Sequence, residues 1–98
     1  MEEHIRIATY AIKKGKPEEL AEIARTGMLP IYRSQPGFVR YGVVLLDDGN
    51  VASVSVWETH AEAEAANVAA ADFVAKNMAD LVELDNTHVG DFFFDETA

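Results

Sequence analysis

The hydrophobic and polar positions along this chain change their period several times, and each change predicts a new element. Residues 4–12 alternate with a period of two and carry apolar side chains on both faces, which is typical of a strand covered on both sides. Residues 38–46 and 51–58 are rich in β-branched and aromatic residues, and Asp48-Gly49 between them favours a tight turn. This central segment therefore predicts an antiparallel hairpin.

Two segments with helical spacing lie on either side of the hairpin. Pro17 suits the first position of a helix, and Gly27 and Pro30 predict a break in it, followed by a short turn through Tyr32. Thr59 and Glu62 form a capping-box pattern that begins a second helix, predicted over residues 60–83. The expected inner positions of the first helix are Leu20, Ile23, Ala24 and Met28. Those of the second are Ala63, Ala66, Asn67, Ala70, Val74, Asn77 or Met78, and Leu81.

A last strand is predicted over residues 87–94, so the element order is strand–helix–strand–strand–helix–strand. This order predicts an α+β fold of the ferredoxin-like βαββαβ type, a single domain over residues 1–98. Its four-stranded antiparallel sheet carries two helices on one face. The other face has no cover within one chain, although residues 43–46 and 92–94 are apolar on both sides. We therefore expect a homodimer that packs sheet against sheet.

Composition narrows the partners and the location. The chain has 98 residues and no cysteine, which excludes disulfides. Its formal net charge of −9 disfavours binding to nucleic acid and to anionic membrane surfaces. No apolar run approaches the roughly 20 residues of a membrane span, and acid stands where a signal peptide needs base, so we expect a cytoplasmic protein without membrane contact. The histidines His4, His60 and His88 lie far apart without metal-ligand spacing, and no metal site is expected.

Three short motifs carry a resemblance to a known family. Lys14-Gly15 follows the first strand, Pro36-Gly37-Phe38 opens the second, and Val56-Trp57-Glu58-Thr59 closes the third before an Ala- and Glu-rich helix. With these motifs, residues 5–94 resemble the antibiotic biosynthesis monooxygenase (ABM) family of dimeric α+β barrels. The resemblance implies a dimer whose two sheets form a barrel with the helices outside. It also implies a pocket between helices and sheet in each subunit.

The resemblance implies a cofactor-independent monooxygenase acting on a small quinol- or anthrone-like aromatic, whose deprotonated form itself reduces oxygen. The alternative is a non-catalytic dimeric module of the same fold that binds a small apolar ligand or serves in stress. The haem-degrading branch of the family needs three residues whose places hold Ala8, Ala66 and Lys76 here, so we expect no haem. We expect no other cofactor either, because the implied oxygenation needs none. Quinol-oxygenase-like relatives often carry a histidine in the second helix, whereas residues 68–72 contain none.

The candidate catalytic residues are His88, Asn67 and Tyr10. His88, in the last strand, is the one histidine placed where it can enter a cavity as a base, with an edge or dimer contact as its alternative role. Asn67 lies on the inner stripe of a helix and needs a hydrogen-bond partner once it is buried. That partner is either a neighbouring backbone carbonyl or a ligand in a pocket. The resemblance implies that the strand face carrying Tyr10 looks toward the pocket. Its hydroxyl then either binds substrate, or it reaches the rim of the core while the ring packs inside.

The candidate substrate-binding residues are Trp57, Tyr32 and Asn77. Trp57 is either an anchor for the corner between hairpin and helix or an N–H donor to a substrate oxygen. Tyr32 lies near the predicted helix break, and Met78 competes with Asn77 for the inward position. Alanines dominate the second helix, and such small side chains either let it approach the sheet closely, leave space for a ligand, or only favour helix formation.

Overall fold

The computed structural model describes residues 3–98 and has the predicted order of elements. Four strands form one antiparallel sheet in the order β2-β3-β1-β4, which confirms the predicted sheet of a βαββαβ fold. The strands are β1 (His4–Ile12), β2 (Phe38–Leu45), β3 (Val51–Trp57) and β4 (Val82–Asp91). The helices are α1 (Pro17–Ile23), α2 (Leu29–Arg33) and α3 (His60–Asn77), with a π-helical turn over Ala24–Met28 between α1 and α2.

The strand register decides which side chains face the helices. Ala8 in β1 pairs with Ser53 of β3 and with Thr87 of β4, so these three residues lie on one face of the sheet. Ala8 is fully buried beneath the helices. Its neighbour Ile7 pairs with His88 on the opposite face, which no helix within residues 3–98 covers. We call the first the helix face and the second the open face.

The first helical segment differs from the prediction at its break. The chain does not leave the helix between Gly27 and Pro30; it passes through the π-helical turn and continues as α2. Pro30 lies in the first turn of α2, directly after the π-helical turn, so its missing N–H falls where the hydrogen-bond pattern changes from one helix type to the other. Tyr32 is consequently helical and fully buried, not part of a turn.

Gly27 allows the π-helical turn to pack closely against α3. A Cβ atom at this position would lie 2.5 Å from the ring of Phe73, a distance that no side chain tolerates without a shift. Phe73 is buried and was absent from the predicted inner stripe, whereas Ala63, Ala66 and Ala70 are buried as predicted. Gly27, which lowers the helical preference of the first segment, is thus the residue that lets the π-helical turn approach α3 closely.

The ends of α3 and β4 follow the prediction only in part. The hydroxyl of Thr59 accepts a hydrogen bond from the backbone N–H of Glu62 and donates one to its carboxylate, which confirms the cap. α3 ends at Asn77 and β4 spans residues 82–91, so the predicted bounds of 83 and 87–94 are wrong. The apolar Leu81 and Val82 fitted the helical stripe, but they belong to the turn and to the strand. Among residues 3–98, no helix is long and apolar enough to cross a membrane.

Candidate functional site

The guanidinium group of Arg6 is buried on the helix face of the sheet. Arg6 is only 3% exposed, and within residues 3–98 no carboxylate lies within ion-pair distance of it. Its Nε donates to Asn67 Oδ1 at 2.5 Å, its Nη2 to the Tyr10 hydroxyl at 3.3 Å, and its Nη1 to the Tyr32 hydroxyl at 3.4 Å. All three acceptors are neutral. A buried cation without a counter-anion is costly, and it creates a strong preference for an anionic ligand.

Two features of these hydrogen bonds leave room for such a ligand. A guanidinium group carries five N–H donors, and only three of the Arg6 donors are used by the described residues. The two bonds to tyrosine hydroxyls are longer than the usual 2.7–3.2 Å and therefore weak. An oxyanion at hydrogen-bond distance would bind this group more strongly than either hydroxyl does.

Asn67, on α3, links Arg6 to the last strand. Its Oδ1 accepts from Arg6 Nε and from the Thr87 hydroxyl at 3.1 Å. Because Nε can only donate, the amide must present its oxygen to Arg6, and the amide nitrogen then points elsewhere. That nitrogen makes no hydrogen bond within residues 3–98 and is available to donate to a ligand. Of the two roles considered for Asn67, the backbone-carbonyl partner is thus absent from this part of the chain.

These polar groups line a cleft between α3 and β4, which we call the outer cleft. Its volume is about 410 Å³, which falls within the range of small-molecule sites. The polar wall consists of Arg6, Tyr10, Asn67 and Thr87. The apolar wall consists of Ala71, Val74, Ala75, Ala79 and Leu84. The alanines of α3 therefore have two roles, since Ala63, Ala66 and Ala70 are buried while Ala71 and Ala75 leave space for the cleft.

A second space, the inner cavity, lies between the first helical segment and the sheet. Its volume is only about 40 Å³, and it shares Tyr10 and Val74 with the outer cleft. Burial raises the pKa of the Tyr32 hydroxyl and raises that of Tyr41 to about 12. Both phenols line the inner cavity and stay protonated at neutral pH, so they act as hydrogen-bonding groups rather than as bases.

Trp57 and Asn77 line neither space. Trp57 is fully buried, donates from Nε1 to the Ser55 hydroxyl at 2.9 Å, and packs edge-on against Tyr32 at 5.2 Å between ring centroids. This geometry favours the corner-anchor interpretation. Asn77 is exposed and its amide donates to the Phe73 carbonyl at the end of α3, while Met78 takes the buried position beside the inner cavity.

His88 does not enter the outer cleft or the inner cavity. It pairs with Ile7 on the open face, one residue out of phase with Thr87, and its side chain is exposed. The structure therefore brings Asn67, Tyr10 and Tyr32 together around Arg6, and it does not bring His88 to them.

The fold and the site suggest comparison with known proteins. Residues 4–72 match the profile of the antibiotic biosynthesis monooxygenase family. The chain belongs to this family. No curated protein is significantly similar to it in sequence.

Several solved structures share the ABM fold with this chain. SnoaB from Streptomyces nogalater, described as a cofactor-independent oxygenase, is 23% identical with a TM-score of 0.65, covering 99% of this chain and 97% of SnoaB. NE2512 from Nitrosomonas europaea, of unknown function, is 16% identical with a TM-score of 0.77, covering 100% and 96%. MupZ from Pseudomonas fluorescens is 12% identical with a TM-score of 0.72, covering 91% and 71%. At these identities the likeness extends to the fold alone.

In this ABM-family chain, the sequence interpretation missed Arg6. The signal was present, because Arg6 shares a strand face with Ala8 and Tyr10, and that face was already expected to look toward the helices. A charged residue on a covered face must be paired, hydrogen-bonded or functional.

Proposed function

We propose that this ABM-family protein is a cofactor-independent monooxygenase of a small quinol- or anthrone-like aromatic, bound in the outer cleft with its ionised oxygen on Arg6 and Asn67. The observation that carries the proposal is the buried Arg6 guanidinium, which lacks a carboxylate partner within residues 3–98. An enolate or phenolate oxygen supplies the missing negative charge. The fold relative SnoaB, described as a cofactor-independent oxygenase, supports the reaction class.

The chemistry follows from stabilising the anion of the substrate. A nearby cation lowers the pKa of a bound enol or phenol by about 1–3 units, which raises the fraction of the electron-rich anion at neutral pH. Within residues 3–98, no carboxylate and no imidazole lines the outer cleft, so the proton passes to water. Arg6 would bind the resulting oxyanion, while the free N–H groups of Asn67 donate to the same oxygen.

The reaction balances without a further reductant. The anthrone carbanion gives one electron to O₂, and the two radicals combine to form a C–O bond and a peroxide. Loss of the second methylene proton breaks the O–O bond and leaves a ketone. One O₂ is consumed; one oxygen atom enters the product and the other leaves as water together with both methylene hydrogens.

Oxygen uptake with a panel of anthrones and quinols tests this proposal. We expect turnover above the background of buffer, and a loss of about 10²-fold in Arg6→Gln, since a donor that stabilises developing negative charge has about that effect. Arg40→Gln is the matched control, because Arg40 is an exposed arginine on the open face that pairs with Glu3 at 3.5 Å. Turnover that is equal in Arg6→Gln and wild type would refute the assignment of the site, and so would turnover lost equally in both variants.

One observation favours a second candidate, a dimeric module that binds a small phenolic ligand without turnover. The outer cleft provides an anion site, but the described part of the chain gives it no carboxylate or imidazole that could take a proton. This candidate predicts that ligand raises the melting temperature of wild type, but not of Arg6→Gln, while oxygen uptake stays at background.

We further propose that a second copy covers the open face, as expected for a homodimer. Val44 is 46% exposed in β2 and pairs with Ala52 on this face, which also carries Ile7. Sedimentation at micromolar concentration should give a dimer, and Val44→Glu should shift it toward the monomer because a charge would be buried at the contact. A monomer in wild type would rule this arrangement out.

A further inference from the structure

A second polar cluster lies where the first strand, the last strand and the start of α3 meet. His4 opens β1, His60 opens α3, and Asp91 closes β4. Asp91 Oδ1 accepts from His4 Nδ1 at 2.6 Å and from His60 Nδ1 at 2.7 Å. One possible ligand atom from each of the three residues lies within 4.8 Å of the others. Residues far apart in sequence thus present two imidazole nitrogens and one carboxylate oxygen to a common point.

Glu64 completes the environment of His60. Its Oε1 lies 2.7 Å from His60 Nε2, one helical turn further along α3. A carboxylate that holds the distal nitrogen of a histidine is the usual outer support of a metal ligand, because it fixes the ring and leaves the other nitrogen facing the metal.

We propose that His4, His60 and Asp91 form a binding site for a divalent transition-metal ion, with Zn²⁺ as the fitting ion. Two histidine nitrogens and one carboxylate oxygen are ligands that Zn²⁺ accepts, and a three-ligand site leaves a position for water. Ligand atoms at about 2.0–2.1 Å from a metal lie about 2.9–3.4 Å apart, so the two distances from Asp91 Oδ1 to the histidine nitrogens need to open by about 0.5 Å. Zn²⁺ takes the place of the two Nδ1 protons.

The surroundings of the cluster permit this small adjustment. The side chains of His60 and Asp91 are about half exposed, and rotations of exposed side chains meet little resistance. His4 lies on the same strand face as Arg6, two residues away, so the metal would sit beside the outer cleft without sharing its residues. The metal proposal therefore does not depend on the oxygenase proposal.

Calorimetric titration of the whole chain with ZnCl₂ at about pH 8, where proton competition is low, tests the site. We expect one Zn²⁺ per chain with a Kd of about 10 µM or lower. His4→Gln, His60→Gln and Asp91→Asn should each weaken binding at least about tenfold, and far-UV circular dichroism should show that each variant is folded. His88→Gln is the matched control, because it removes an exposed imidazole from elsewhere on the same sheet and should bind Zn²⁺ as wild type does.

Three results would overturn the proposal. The first is the absence of saturable 1:1 binding to wild type. The second is wild-type affinity in a folded Asp91→Asn variant, which keeps the shape of the side chain and removes its charge. The third is an equal loss of affinity in His88→Gln and His60→Gln, which would indicate nonspecific binding to surface histidines.

Discussion

The buried Arg6 guanidinium should lower the pKa of a phenol bound in the outer cleft, and Arg6→Gln should abolish the effect. A phenolate oxygen at about 3 Å from the guanidinium is attracted to it by about 5.5 kcal/mol at an effective dielectric constant of 20. The outer cleft is open to solvent on one side, which reduces this value. Opposite charges at such distances shift pKa values by about 1–3 units, or about 1.4–4 kcal/mol.

Absorbance titration of 4-nitrophenol measures the shift directly, because the phenolate absorbs at a longer wavelength than the phenol. With protein in excess, the pKa of the bound probe should be about 1–3 units lower in wild type than in Arg6→Gln. The sign follows from linkage: a cation that stabilises the phenolate makes binding tighter as pH rises through the lowered pKa.

Arg40→Gln again provides the control, since the Arg40 side chain is 57% exposed and acts only on the open face. It should leave the pKa of the bound probe unchanged. If wild type and Arg6→Gln give the same bound pKa, or if Arg40→Gln changes it as much as Arg6→Gln does, Arg6 is not the cation that meets the ligand.

Three further predictions concern stability and are checked by chemical denaturation. Arg6→Met should lower the free energy of unfolding by no more than about 1 kcal/mol, because removal of a buried charge offsets the lost hydrogen bonds. A decrease above about 3 kcal/mol would mean that Arg6 has a structural role. Trp57→Ala should cost about 3–5 kcal/mol, as for a fully buried aromatic anchor, and a loss below 1 kcal/mol would contradict that role. Gly37→Ala should lower the free energy of unfolding more than Gly49→Ala does. Both glycines have a positive φ, but only a Cβ at position 37 would collide with the Glu62 side chain. Equal decreases in the two variants would exclude this contact.

The sequence predicted the sheet because its signals are local. Alternation in β1, the turn at Asp48-Gly49 and the Thr59 cap each depend on neighbouring residues, and each is confirmed. The boundary between α3 and β4 was wrong because an apolar pair such as Leu81-Val82 fits either a helical stripe or a covered strand. Only the pairing of β4 with β1, which includes a bulge opposite Thr9 and Tyr10, decides between them.

The candidate site was predicted only in part, because its members meet through the fold. The helical stripe predicted an inward Asn67, the family resemblance turned Tyr10 toward the pocket, and both residues contact the same guanidinium. Whether His88 enters a cavity depends on the sheet face that its side chain occupies. The strand register determines this face, and the residue type does not. His60 and Asp91 are 31 residues apart, and no spacing rule predicts that their side chains meet.

A crystal structure of the protein with a bound hydroxyaromatic ligand tests the central claim most directly. We expect the ligand in the outer cleft, with its oxygen at about 2.7–3.2 Å from a nitrogen of Arg6 or from the amide nitrogen of Asn67. A ligand bound on the open face beside His88, or one in the outer cleft with its oxygen turned away from Arg6, would contradict the claim.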